Sequence, residues 1–270
     1  MKYKAAVVQM DTGKDKQENL NKIKHFVEEA VLSGASLVCF PEMVNIQDAS
    51  LSHLERAERL TDSRTIGYVS ELAKKYGIFI CLGTILEWVQ DKESQADMEK
   101  VYNTSVLFGV DGEIITMYRK CHLFDISTED GKEYKESDTV KPGEMIVNTE
   151  TKLGNLGIAI CYDLRFPEQF RTMTRSGMQV LLLPASFTKE TGMAHWETLI
   201  RARAIENGCY VLASNQCGEK MEYEAYGHSM IVDPWGRVLA KADMSETILY
   251  GEIDLDYVSQ VRNQLPSTIL

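Results

Sequence analysis

The sequence predicts a layered α/β fold with mixed sheets, and three observations carry that prediction. Strand-like and helix-like segments alternate along its 270 residues, the pattern of sheets covered by helices. Two further stretches read as hairpins, which adds antiparallel pairing to the parallel kind. Finally, Ser33-Gly34-Ala35, a buried run and Pro41 are echoed by Ser176-Gly177-Met178, a buried run and Pro184. Both patterns follow a helix, as two similar halves facing across one core would place them.

Each element has its own reason. Lys4 to Met10 is a strand built on Ala5-Ala6-Val7-Val8. Lys16 to Ser33 is a helix, because Leu20, Ile23, Val27, Ala30 and Val31 recur on one face and Ser33-Gly34 stops it. Ser36 to Phe40 is a continuous apolar strand, covered on both faces. Asp62 to Tyr76 is a helix with Gly77 as its cap, and Ile78 to Leu86 a further strand. Val101 to Phe108 and Glu113 to Arg119 flank the turn Gly109-Val110-Asp111-Gly112. Ser229 to Asp233 and Arg237 to Ala240 flank Pro234-Trp235-Gly236. Between the hairpins come a strand at Leu156 to Ile160 and a helix opened by Pro167, whose ring suits the first helical position. A strand at Val180 to Leu183, a helix at Ala194 to Asn207 capped by Gly208, and a strand at Tyr210 to Ser214 follow. Asp256 to Leu265 is the last helix, and the acidic stretch Trp88 to Lys100 a solvent-exposed loop.

At roughly 150 residues per domain the length allows about 1.8 domains. No Pro-, Gly- or Ser-rich linker divides the chain, so residues 1–270 are expected to form one domain. Lys plus Arg number 29 and Asp plus Glu 40, a net charge of −11. Such a surface repels phosphate backbones and argues against a nucleic-acid partner. Six cysteines occur with no closely spaced ligand pair, which argues against a metal. No apolar run is long enough to span a membrane, and the N-terminal run is too short for a signal-peptide core. A cytoplasmic protein with reduced thiols is the expectation.

In α/β sheets, functional groups gather beyond the carboxyl ends of strands. Glu42 follows one such strand, Lys120 another and Cys161 a third. Cys161 lies on a strand-to-helix turn, where a side chain projects from the sheet and the following amides can face an oxyanion. A carboxylate base and a nearby cation would let its thiol attack. Taken singly, Cys161 is more readily a small core residue, Glu42 a surface glutamate and Lys120 a solvated lysine.

Together they carry a resemblance. Phe40-Pro41-Glu42, Tyr118-Arg119-Lys120-Cys121-His122-Leu123-Phe124-Asp125 and Cys161-Tyr162-Asp163-Leu164-Arg165-Phe166-Pro167-Glu168 resemble the signatures of the nitrilase, or carbon–nitrogen hydrolase, superfamily. Gly192-Met193-Ala194-His195-Trp196-Glu197, Tyr226-Gly227-His228-Ser229 and Asp233-Pro234-Trp235-Gly236 continue it in the same order. Within the superfamily the chain looks most like the Nit branch, amidases of ω-amides of 2-oxo acids or of deaminated glutathione. The resemblance implies a four-layer α-β-β-α sandwich of two quasi-equivalent halves, and catalysis by Glu42, Lys120 and Cys161. It implies that Glu136 orients the lysine or assists proton traffic, that the backbone of Tyr162 shares the oxyanion, and that no metal or organic cofactor is used. It also implies a homodimer. The C-terminus, Leu265-Pro266-Ser267-Thr268-Ile269-Leu270, lacks the basic tail of many relatives, so the mode of association stays open.

For the substrate, Arg165 is placed to grip a carboxylate, or else to pair with Asp163 or Glu168. Ser186, Phe187 and Thr188 sit beyond a strand end and would line the pocket. His195 and His228 read as structural hydrogen-bonding residues, and Cys39 and Cys81 as core. Cys121 and His122, expected on opposite sides of a strand, form no dyad, and Cys161 lacks the setting of a papain-like Cys–His hydrolase. The substrate expected is a small-molecule amide bearing a carboxylate, in a locally positive pocket of an acidic protein. N-carbamoyl or nitrile hydrolysis and a catalytically silent interaction protein are the alternatives.

Overall fold

The computed structural model describes residues 1–89, 100–128 and 131–267. Most of the acidic loop expected over Trp88 to Lys100, and the last three residues of the C-terminal segment, lie outside them. The first half contains β1 (Lys2–Gln9), α1 (Lys16–Leu32), β2 (Leu37–Cys39), α2 (His53–Arg56), α3 (Arg64–Tyr76), β3 (Phe79–Cys81), β4 (Ile85–Glu87), β5 (Tyr102–Phe108) and β6 (Ile114–Arg119). A small hairpin, β7 (Asp125–Ser127) and β8 (Glu133–Lys135), links it to the second half. There follow β9 (Val147–Thr151), β10 (Gly154–Ile158), α4 (Pro167–Arg175), β11 (Val180–Ala185), α5 (Lys189–Asn207) and β12 (Tyr210–Asn215). The chain closes with β13 (Cys217–Glu219), β14 (Glu224–Tyr226), β15 (Met230–Val232), β16 (Val238–Lys241), β17 (Thr247–Asp254) and α6 (Leu255–Gln264).

Two large sheets result. One runs β17-β1-β2-β3-β5, with β4 and β6 also pairing β5; the other runs β16-β15-β12-β11-β10-β9. In each, three central strands are parallel and are flanked by antiparallel ones. Side chains alternate across a strand, and that alternation sets the layers. Ala5 and Val7 share a core cluster with Leu156 and Ile158 of the opposite sheet. Ala6 and Val8 instead pack with Leu20, Ile23 and Val27 of α1. The sheets therefore face each other with helices outside, the expected α-β-β-α order.

The internal echo is geometric. Gly34 and Gly177 both adopt positive φ, 75° and 100°, after α1 and α4. The amide of Ala35 donates to Ala30 O at 2.9 Å and that of Met178 to Met173 O at 3.0 Å. Ser36 then donates to Lys4 O and Gln179 to Asn155 O, both at 2.8 Å. The same helix-stop starts the second parallel strand of each half.

Several boundaries differ from expectation. The strand over Ile78 to Leu86 is split into β3 and β4 at Gly83, which has φ 82°. A Cβ there would sit 2.0 Å from Pro41 O, so the chain bends where the Glu42 loop presses on it. Helix α5 starts at Lys189 rather than Ala194, because the Thr188 hydroxyl caps it. No strand was expected over Thr247–Asp254, yet β17 pairs along all of β1; its residues are mostly half-buried and mixed in character. Among the described residues, no helix is long and apolar enough to cross a membrane.

Candidate active site

The three strand-end residues converge. Glu42 is only 4% exposed. Its loop is held by a hydrogen bond from Glu42 N–H to Ala185 O at 3.3 Å and one from Gln216 Nε2 to Glu42 O at 2.8 Å. Lys120, 2% exposed, follows β6. Its own amide donates to Asn103 O at 2.9 Å, and its carbonyl accepts from Gly143 N–H at 2.7 Å. The ammonium donates to Glu136 Oε2 at 2.8 Å and to Glu42 Oε1 at 3.2 Å. Burial alone would push Lys120 down, but Glu136 and Glu42 outweigh it and hold the ammonium well above the usual lysine range. A buried cation between two carboxylates is fixed in place and in charge.

Glu136 opens a short 3-10 turn, Glu136–Asp138. Besides Lys120, it accepts from Phe124 N–H at 2.7 Å, and its other oxygen from Asn103 Nδ2 at 3.3 Å. Asn103 Nδ2 also reaches Glu42 Oε1 at 2.7 Å. One amide thus bridges both carboxylates that flank the lysine.

Cys161 sits on a strained elbow, with φ 47° and 7% exposure. A non-glycine residue in the left-handed region costs about 1–3 kcal/mol unless its surroundings impose it. Asp163 imposes it. Its fully buried carboxylate accepts from Ile160 N–H at 2.9 Å and from Tyr118 OH at 2.7 Å. It also accepts from His122 N–H at 2.9 Å and binds His122 Nδ1 at 2.7 Å. Burial pushes the Cys161 thiol well above its ordinary range; the Glu42 carboxylate adds to this, and Lys120 opposes it. The thiol therefore needs a base before it can attack.

Glu42, Lys120, Glu136 and Cys161 line one cleft of about 600 Å³ with Tyr162, Arg165, Ser186, Phe187 and Thr188. Every site residue expected from sequence is brought together there. Arg165 makes neither of the ion pairs considered for it. Its Nη1 lies 3.2 Å from His195 Nδ1, its guanidinium packs over the Tyr162 and Phe187 rings, and its Nε is buried without a hydrogen-bond partner. His228 is structural: its Nδ1 lies 2.7 Å from Tyr226 O, and its own carbonyl accepts from Trp196 Nε1 at 2.8 Å. Cys121 and His122 do not lie on a strand, because β6 ends at Arg119. In the turn beyond it the Cys121 thiol contacts Arg119 O and Met145 O, while His122 goes to Asp163. The expected positive pocket is not positive in sum. Its lining carries five acids (Glu42, Glu133, Glu136, Asp138, Glu222) against four lysines and arginines (Arg56, Lys120, Lys135, Arg165), with His53 beside them.

The carbon-nitrogen hydrolase family model matches residues 4–263. The chain belongs to the carbon–nitrogen hydrolase family. It is 40% identical to omega-amidase NIT2 of Xenopus tropicalis over 98% of its length and 93% of that protein's. It is 38% identical to deaminated glutathione amidase of Mus musculus, over 97% of its length and 80% of the relative's. The crystal structure of Saccharomyces cerevisiae Nit3, a member of branch 10 of the nitrilase superfamily, superposes with a TM-score of 0.85 at 34% identity, covering 98% of this chain and 94% of that one.

Sequence reasoning on this carbon–nitrogen hydrolase missed the supporting residues. Asn103 belongs to Asn103-Thr104-Ser105, a polar run inside a strand whose burial and partners the structure alone reveals. Tyr118 and Asp163 lay within quoted motifs but only the structure pairs them. Tyr223, whose hydroxyl lies 2.7 Å from Ser186 Oγ, comes from a hairpin with no periodic signal. Burial foremost, with Glu42 near it, pushes that phenol far up, so it stays a neutral hydrogen-bonding group.

Proposed function

We propose that the protein is an amidase that cleaves a small carboxylate-bearing amide, an ω-amide of a 2-oxo acid or deaminated glutathione, to acid and amine through a thioester on Cys161. The observation that carries this reading is Lys120 Nζ held between Glu42 and Glu136 in the cleft that Cys161 lines. Glu42 accepts the Cys161 proton as sulfur attacks the amide carbon. The oxyanion is held by the Lys120 ammonium and the Tyr162 N–H. Glu42 returns the proton to the departing amine, then deprotonates the water that hydrolyses the thioester. Glu136 is the positioning residue, keeping the ammonium aimed at the oxyanion. Arg165 takes the acyl carboxylate, with Ser186, Phe187 and Thr188 along the pocket wall. None of these steps calls for a metal or organic cofactor.

Ammonia release tests the reading. Wild-type protein should release ammonia, without carbon dioxide, from 2-oxoglutaramate or 2-oxosuccinamate, and Cys161→Ala should not. No ammonia from either amide, with ammonia and carbon dioxide released from an N-carbamoyl amino acid, would replace the amidase with an N-carbamoyl hydrolase. No turnover, with uniformly slow iodoacetamide labelling of all six thiols, would leave a silent protein of the same fold.

The same reading extends to a cytoplasmic homodimer that binds neither nucleic acid nor membrane. All six thiols are unpaired, as a reducing compartment keeps them. Ile205 of α5 packs on the Gly236 turn, and Trp235, Val238 and Leu239 are exposed nearby; such an apolar patch suits a second subunit. Sedimentation equilibrium at twice the chain mass is the expected result.

A further inference from the structure

Glu42 and Glu136 flank the same lysine, yet the proposed mechanism makes a base of one of them only. Their hydrogen bonds differ in a way that accounts for this. Glu136 has donors on both oxygens: Asn103 Nδ2 on Oε1 at 3.3 Å, and Lys120 Nζ and Phe124 N–H on Oε2 at 2.8 and 2.7 Å. Glu42 has donors on one oxygen. Its Oε1 accepts from Asn103 Nδ2 at 2.7 Å and from Lys120 Nζ at 3.2 Å. Among the described residues no N–H donates to its Oε2. The same carboxylate stands beside the Cys161 thiol.

Asn103 is the side chain that both glutamates share besides the lysine. It is fully buried on β5 and does not line the cleft. Its carbonyl accepts from Lys120 N–H at 2.9 Å, so one residue holds the lysine and both carboxylates. Its amide is set one way round. Nδ2 has a hydrogen for each glutamate, whereas the reversed amide would set Oδ1 against two anions. That orientation leaves Oδ1 buried with no hydrogen-bond partner. Buried acceptors are rarely left so. Here the bonds to two carboxylates, about twice as strong as neutral ones, outweigh the loss.

We propose that Asn103 is a positioning residue that assigns the base: it closes Oε1 on each glutamate and leaves Glu42 Oε2 as the oxygen of the pair that takes a proton. The inference rests on the amidase reading, in which Glu42 is the base, and specifies the atom. A carboxylate oxygen has two lone pairs, and both of those on Glu42 Oε1 already face N–H hydrogens. As sulfur attacks, its proton passes to Oε2 and its electron pair forms the C–S bond. The same oxygen then delivers that proton to the departing amine.

Two variants test this, each followed by the pH dependence of Cys161 alkylation with iodoacetamide and by kinetics on 2-oxoglutaramate. Asn103→Leu removes the donors at nearly constant volume. Asn103→Thr keeps a strand-forming residue and one hydroxyl donor, and decides alone should the leucine variant fail to fold. A donor to a carboxylate favours its charged form, so losing that donor extends the protonated form to higher pH. The acid limb of alkylation should therefore move to higher pH in both variants, further in Asn103→Leu. Counted per alkylatable Cys161, kcat should fall about 10-fold or more in Asn103→Leu and less in Asn103→Thr. KM should hold within about twofold, since Asn103 does not line the cleft. An asparagine that only fills space would change the amount of active protein and leave the limb at its wild-type position. An unmoved limb would thus overturn the assignment, and leave the amidase reading standing where wild type hydrolyses the amide. Wild type that hydrolyses no amide would overturn the amidase reading, and the alkylation limb would still decide the role of Asn103.

Discussion

At the scale of single residues the site is a charge arrangement, and its behaviour with pH follows. In the proposed mechanism the Lys120 ammonium is the form that holds the oxyanion. Its neighbours raise its pKa well above the ordinary 10.5, so it stays protonated as pH rises past that value. The alkaline limb of kcat/KM should therefore lie above pH 10.5, and a decline near pH 8 would contradict the arrangement. Lys120→Ala should reduce kcat at least about 100-fold, since one oxyanion donor is worth about 3–4 kcal/mol. It would also leave two carboxylates facing each other without their cation. A variant with near-normal turnover would remove Lys120 from the mechanism. The Cys161 thiol is held protonated, so its alkylation at neutral pH should depend on Glu42. Glu42→Gln removes the base but also a carboxylate that raises the thiol; with the base as the larger effect, iodoacetamide labelling of Cys161 should slow about 10-fold or more while the other thiols stay unchanged, as mass spectrometry of the labelled peptides can check. Glu42, Lys120 and Cys161 stood out in sequence because each follows a recognisable strand within a motif. Asn103, which ties Glu42 to Glu136, did not, because nothing local tells a buried asparagine which side chains it will meet.

At the scale of elements, the loop from Glu42 to Gln47 is held by parts remote in sequence. Glu58 is the anchor. It accepts from Asn45 Nδ2 at 2.7 Å, Ser63 Oγ at 2.6 Å and Thr65 Oγ1 at 2.6 Å, and pairs with Lys16 at 3.0 Å. Burial opposes its charge, but the bonds from Ser63 and Thr65, with Lys16, prevail and lower its pKa to about 2. A lowered folded value means that its stabilisation is present above the ordinary 4.5 and is lost as pH falls toward about 2. Glu58→Gln should destabilise the protein by about 1–3 kcal/mol at pH 7, with the gap from wild type closing on acidification; urea midpoints across that range decide it. From the other side the loop rests on Gly83, where a Cβ would meet Pro41 O. This contact explains why the segment expected as one strand is two. Apolar runs such as Ile78 to Leu82 are visible in sequence, whereas the backbone that will press on one glycine is not. The short strands β7, β8, β13 and β14 escaped for a related reason, since three residues show no period.

At the scale of the whole molecule, the echo of two helix-stops foretold two facing halves, and the paired hydrogen bonds of Ser36 and Gln179 bear it out. Length and patterning sufficed because burial on both faces of central strands is a property of each segment by itself. Electrostatics is different, since total charge says nothing of where charges lie. The net charge is −11, and the cleft lining, with five acids against four lysines and arginines, does not reverse its sign. An anionic amide therefore approaches against the field until it reaches Arg165 or Arg56. Salt acts on that approach. The Debye length shrinks from about 30 Å at 0.01 M to about 8 Å at 0.15 M, which screens distant surface carboxylates but hardly touches buried contacts. KM for a carboxylate-bearing amide should consequently fall as salt rises over that range, while KM for a neutral amide of the same bulk stays level. A KM that rises with salt for the anionic substrate alone would show that the two arginines, rather than the acidic surface, govern approach, and that the local field at the mouth is positive despite its lining.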